Sequence, residues 1–169
     1  MPNRGVLFAI TDDIADKLIS LPPEKRVEYV EEDIEENFFE NDAEHTFELD
    51  KAWDTVHRAL TDGHLHWENG EYPLSHVILG GEILYGSEST DDYLIVLKTA
   101  EEVIDISDAL KEVTGEDFKR GYALIDIADY EYKLGFEDMQ YATGYFDEMR
   151  AFWEKAAQDN RAVIFTVDL

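Results

Sequence analysis

Apolar residues recur three and four positions apart over most of this chain, the spacing that gathers them on one face of an α-helix. The longest such series, Phe136, Met139, Ala142, Phe146, Met149, Trp153 and Ala156, predicts a main core helix over 136–157 in spite of Gly144. Its aromatic stripe reads as core, not as a cofactor box. The same spacing places Val27, Val30, Ile34 and Phe38 on the stripe of a helix over 23–39, which follows Pro22-Pro23. Ile14, Leu18 and Leu21 turn inward from a short helix capped by Thr11-Asp12-Asp13. Thr99 and Glu102 form a capping box ahead of Val103, Ile106, Leu110 and Val113, with Gly115 as the expected C-cap. Asp117–Lys133 reads as broken helix. Apolar or β-branched runs at Arg4–Ile10, Asp92–Leu97 and Ala162–Val167 predict strands, with a further short one at Thr46–Leu49. The expectation is an α+β fold in a single domain, residues 1–169. N-terminal, middle and C-terminal strands would form a small mixed sheet packed with several helices, including the long C-terminal one.

The stretch Leu49–Thr61 carries the candidate chemistry. Asp50 is the expected N-cap, and Trp53, Val56 and Leu60 form the buried stripe. Asp62-Gly63 ends the helix. On the helical wheel His57 falls beside Trp53, at the edge of the flank carrying Asp50 and Asp54, while Lys51 and Arg58 point away. An Asp54–His57 pair can serve as a general base with its orienting carboxylate. The structural alternative is a histidine bonded at a core edge to hold the next loop. Downstream, Gly80-Gly81 after the short apolar run His76–Leu79 reads first as turn chemistry. A pocket between helix 50–61 and segment 73–86 would have Asp50, Trp53, Asp54 and His57 on one wall. Ser75, Gly80, Gly81 and Glu82 would supply the other.

Two blocks, L-D-K-A-W-x-x-V-H-x-x-L-T at Leu49–Thr61 and P-L-S-H-V-I-L-G-G-E at Pro73–Glu82, resemble the YfbM-like family, a bacterial domain of unknown function. G-V-L-F-A-I at Gly5–Ile10, the run Thr99–Val103, the long C-terminal helix and the strand Ala162–Val167 extend the likeness over nearly the whole chain. The resemblance implies a soluble α+β domain and brings no activity with it. The acidic run Glu28–Glu44 and the His64-Leu65-His66 triplet depart from the family pattern.

Charge alters the picture most. Forty acids against 14 bases give a net charge of −26, which repels phosphate backbones and makes nucleic acid an unsuitable partner. No Lys or Arg occurs between Glu28 and Asp50 or between Ala59 and Leu97. Glu28, Glu31, Glu32, Asp33, Glu35 and Glu36 make one helical face almost wholly acidic. Three readings compete: a solvated face for solubility, an adaptation to salt, and a docking surface for a basic protein. With no cysteine, disulfides and thiol chemistry are excluded. No apolar stretch of 18 residues exists, and no signal-peptide pattern opens the chain, so a membrane role is not expected and a cytoplasmic location is.

Catalytic motifs are missing. Ser75 and Ser87 lie outside any nucleophile elbow, and the glycines fit neither a phosphate loop nor a dinucleotide fingerprint. His64, His66, His76 and His45 have no metal-site spacing, so neither metal nor cofactor is expected. Enzymatic activity stays open. The leading expectation is a non-enzymatic interaction module that docks a basic protein, an immunity- or antitoxin-like role suiting such charge by analogy. The second is a small-molecule binder or enzyme using His57.

Overall fold

A computed structural model describes residues 3–86 and 92–169. Five strands form one sheet in the order β2-β1-β5-β4-β3: β1 Arg4–Ile10, β2 Thr46–Asp50, β3 Glu82–Tyr85, β4 Tyr93–Lys98 and β5 Ala162–Asp168. Every pairing is antiparallel, so the expected mixed sheet is of one kind. β5 lies in the centre, its Val163 paired with Ala9 on one side and with Lys98 on the other. Residues 87–91, most of the loop expected at Gly86–Asp92 and including Ser87, lie outside the described residues.

Both faces of the sheet are covered, which explains why β1, β4 and β5 read as continuous apolar runs rather than alternating ones. Val6, Phe8 and Ile10 face one helical layer, together with Ile95 and Ile164. That layer consists of α1 (Asp12–Ser20), α2 (Pro23–Tyr29), a π-helical stretch (Val30–Glu35) and α3 (Glu36–Asn41). Leu7, Ala9, Leu94, Val163 and Phe165 face the other. It contains α4 (Ala52–Leu60), α5 (Ala100–Glu112), α6 (Gly115–Tyr122) and α7 (Phe136–Gln158).

The sequence dictates several of these boundaries locally. Thr11 caps α1 by accepting from the Ile14 N–H, and Thr99 and Glu102 complete the capping box of α5. Val30, Ile34 and Phe38 are all buried, as their spacing requires. Steps of four residues drift by about 40° each in a regular α-helix. The wider π turn keeps the three nearer to one face.

Other boundaries differ from expectation. α5 ends at Glu112, and Gly115 opens α6 instead of capping α5, because Thr114 and Asp117 form a second capping box. Phe136 is 66% exposed: the first turn of α7 runs beyond the core, and the packed stripe starts at Met139. β3 was not foreseen. It is an edge strand of four residues, with Glu82 and Ile83 exposed and only Leu84 buried. No helix among the described residues is long and apolar enough to cross a membrane.

α6 lies so close to α4 that a Cβ on Gly121 would run into the backbone carbonyl of Ala59, whereas one on Gly144 would meet nothing. Gly121→Ala is therefore expected to cost about 1–3 kcal/mol through forced backbone shifts. Gly144→Ala should instead add about 0.5–1 kcal/mol by restricting the unfolded chain. Urea denaturation of the two variants measures both.

Candidate functional site

Helix α4 does not start as its sequence suggests. Asp50 remains in β2, paired with Gly5 at φ +50°, and Lys51 occupies the N-cap without a side-chain bond. The Asp50 carboxylate accepts from the Tyr141 hydroxyl at 2.9 Å and lies 3.4 Å from Arg4 Nε. Trp53 does turn inward. It is 4% exposed, packs its indole 5.6 Å from the Phe165 ring and donates from Nε1 to the Asn3 carbonyl at 3.0 Å.

Arg58, expected to point away, is buried. Its Nε donates to Asp54 Oδ1 at 2.6 Å and its Nη1 to Asp129 Oδ1 at 2.7 Å, with the guanidinium over the Tyr130 ring. Asp54 thus serves Arg58 and not His57. Burial pushes the Asp54 carboxyl above its ordinary value, and the Arg58 charge opposes that. Beside this pair Tyr130 donates to Asp138 at 2.6 Å, as does Tyr122 at 2.8 Å, and Thr55 lies 2.6 Å from the Tyr130 hydroxyl.

His57 is 1% exposed. Its Nε2 faces two oxygens, the His66 carbonyl at 3.1 Å and Asn69 Oδ1 at 2.7 Å. The Asn69 amide is oriented by donating to Asp62 at 2.7 Å and to the His64 carbonyl at 2.9 Å. Nε2 must therefore carry the proton, which leaves Nδ1 as a buried acceptor without a hydrogen-bond partner among the described residues. Burial, assisted by the positive charge of Lys98, pulls the imidazole down to about 4, against the bonds to Asn69 and His66. At neutral pH the ring is uncharged and sealed. It staples the loop after α4 and is not placed as a general base.

The proposed second wall does not face the first. Ser75 Oγ lies 3.0 Å from His76 Nδ1, and the Ser75 carbonyl accepts from the Gly80 N–H at 3.0 Å. Gly81, at φ +134°, lies against the Leu97 carbonyl, which closes the turn into β3. Glu82 is an exposed residue of that edge strand. Since β2 and β3 are opposite edges of the sheet, Asp50 and Glu82 cannot line one cavity. The helix and the segment do meet at a cleft of about 90 Å³, lined by Trp53, Leu65, His66, Trp67, Leu79, Leu94 and Leu169. Its walls are mostly apolar, and Trp53 is the sole predicted pocket residue on them.

The His64 and His66 rings, two residues apart in one loop, stack at 6.2 Å. His64, Asp126 and Asp129 come together, as do Asp42, Glu44 and His45. Protein partners already engage these donors: Arg58 holds Asp129, and the two His45 ring nitrogens lie 2.7 Å from Asp42 and Asp159.

Lys98 escaped the sequence reading. It ends β4 fully buried, donates to the Ile78 carbonyl and lies 5.9 Å from the Phe165 ring centroid. Burial holds its ammonium well below the ordinary value, with Glu102 opposing. A lysine closing the apolar run of a central strand was the available signal.

On the opposite layer, Glu28, Glu31, Glu32, Asp33 and Glu36 are exposed. Glu35 is half-buried instead, because it accepts from the Tyr93 hydroxyl at 3.1 Å; desolvation pushes its carboxyl up. Arg26, one of two bases near this run, spends its guanidinium on the carbonyls of Leu18, Ile19 and Leu84.

A family described as a domain of unknown function, DUF1877, matches residues 1–166. The chain belongs to that family. A solved structure of YfbM from Escherichia coli, itself described as a protein of unknown function, superposes on 97% of this chain and 99% of its own. The TM-score is 0.67 at 14% identity. That likeness shows the fold alone. No curated protein matches.

Two predictions concern α4. Arg58→Met leaves Asp54 buried and unpaired, and should destabilise by about 3–5 kcal/mol. Adding Asp54→Leu should recover most of the loss in the same denaturation assay. His57 has a folded value of about 4 against 6.5 unfolded. Its contribution is therefore complete above pH 6.5 and is lost as pH falls towards 4. The difference in stability between the natural chain and His57→Gln should shrink by about 3 kcal/mol over that window.

Proposed function

We propose that this DUF1877 domain is a non-enzymatic interaction module that docks a basic protein on the acidic layer formed by α2, the π-helical stretch and α3. A role of the immunity or antitoxin kind fits such a surface. The observation that carries the reading is the run of exposed carboxylates at Glu28, Glu31, Glu32, Asp33 and Glu36, with Arg26 turned inward and no Lys or Arg between Glu28 and Asp50. Like charges this close repel one another at i,i+3 and i,i+4, and few cations relieve them locally. A cationic partner removes that repulsion and is steered in by the field of the whole chain. The sealed imidazole of His57 and the mostly apolar cleft beside Trp53 give catalysis no comparable support.

The test is capture of a basic partner on the immobilised chain, followed by release with salt. Bound protein should be retained at about 0.05 M salt and elute by about 0.5 M, where screening shortens the reach of surface charge to a few ångströms. Joint reversal of Glu28, Glu31, Glu32, Asp33 and Glu36 to Lys, sparing Glu35, should abolish retention. Reversal of an equal number of exposed carboxylates on α5 and α7 should not. Equal retention by both variants would refute the docking layer.

A further inference from the structure

Between α1 and the long helical run that follows it lies an open groove of about 510 Å³. Ile14 and Tyr29 contribute apolar surface to it; Glu32, Asp33, Glu36 and Glu40 contribute carboxylates, and no Lys, Arg or His lines it. Further acids, Asp12, Asp13 and Asp16, are exposed on α1. A lining that sets partly exposed Ile14 and Tyr29 among carboxylates of one sign differs from a merely solvated acidic helix. It offers something to a side chain with an apolar part as well as to a cation.

We infer that this groove receives an amphipathic basic helix of the partner, with aliphatic side chains against Ile14 and Tyr29 and Lys or Arg opposite Glu32, Glu36 and Glu40. The inference rests on the docking reading above and adds the shape and spacing of what docks. Charge complementarity selects the partner's sign. Spacing selects its form: the three glutamates recur every four residues, about 6 Å apart along a helix axis, the repeat at which a second helix presents bases at i, i+4 and i+8. The widened turn Val30–Glu35 supplies Glu32, Asp33 and Ile34 to the groove, so the irregular part of the helix is also the part that lines it. π-helical turns are often found at functional positions. A bare polycation would satisfy the carboxylates and leave the apolar surface wet, so the groove discriminates between cations by their apolar side.

Two synthetic 15-residue peptides of identical Leu/Lys composition test this, one patterned as an amphipathic helix and the other scrambled so that the leucines are dispersed. Titration calorimetry at low salt should show the patterned peptide binding about tenfold tighter or more, the increment expected from burying an aliphatic side chain. Asn37→Trp, which fills the groove, and Asn41→Arg, which places a cation in it, should each bring the patterned peptide down to the level of the scrambled one. Circular dichroism verifies that each variant is folded. Glu148→Lys with Glu154→Lys, on the exposed side of α7, should leave the ratio unchanged. Equal affinities for the two peptides in the natural chain overturn the groove while leaving charge-driven docking intact. An absence of binding by either peptide overturns both.

Discussion

A sheet covered by helices on both faces leaves no water-filled side on which a charge can rest, and the polar chemistry of this fold follows from that constraint. Arg58, Lys98 and His57 are nonetheless enclosed, and each is handled differently. Arg58 is compensated by two carboxylates and an aromatic face. Lys98 finds one carbonyl and a distant ring, at the expense of its basicity. His57 gives up its charge and keeps one nitrogen bonded. Each holds a connection in place: the turn before β3, the loop after α4, or the irregular segment between α6 and α7.

The two layers divide the labour. α4, α5, α6 and α7 bury the indoles and the enclosed ions, while α1, α2 and α3 with the π-helical stretch present carboxylates to solvent over a smaller core. Acids on the outer side of that smaller layer neither contact the buried ions nor take part in the pairing of the sheet. Glu35 marks the limit, because Tyr93 on β4 reaches through to it.

Much of the architecture was legible in the sequence because it follows local rules. The caps at Thr11 and Thr99, the stripe Met139–Ala156 and the strands flanking β5 need only neighbouring residues to be read. What was not legible depends on distant partners. Asp50 looks like an N-cap until β1 claims its backbone for pairing and Tyr141 and Arg4 claim its carboxylate. Arg58 looks solvent-facing until Asp129, 71 residues away, turns it inward. Gly115 looks like a stop signal because the competing start signal, Thr114 with Asp117, is equally local and the helix register decides between them. β3 has only four residues, too few to show a period, and is held at the sheet edge by its pairing with β4.

The central place of β5 bears on how the chain assembles. β1 with β2 and β3 with β4 are each joined by direct pairing, yet among the described residues the two pairs share no ladder and are bridged by Ala162–Asp168. During synthesis, therefore, two half-sheets with open edges stay unjoined until β5, which follows all four in the chain, enters between them. Sequence-distant closure of this kind is slow. A net charge of −26 is one means of keeping unfinished chains apart during that interval.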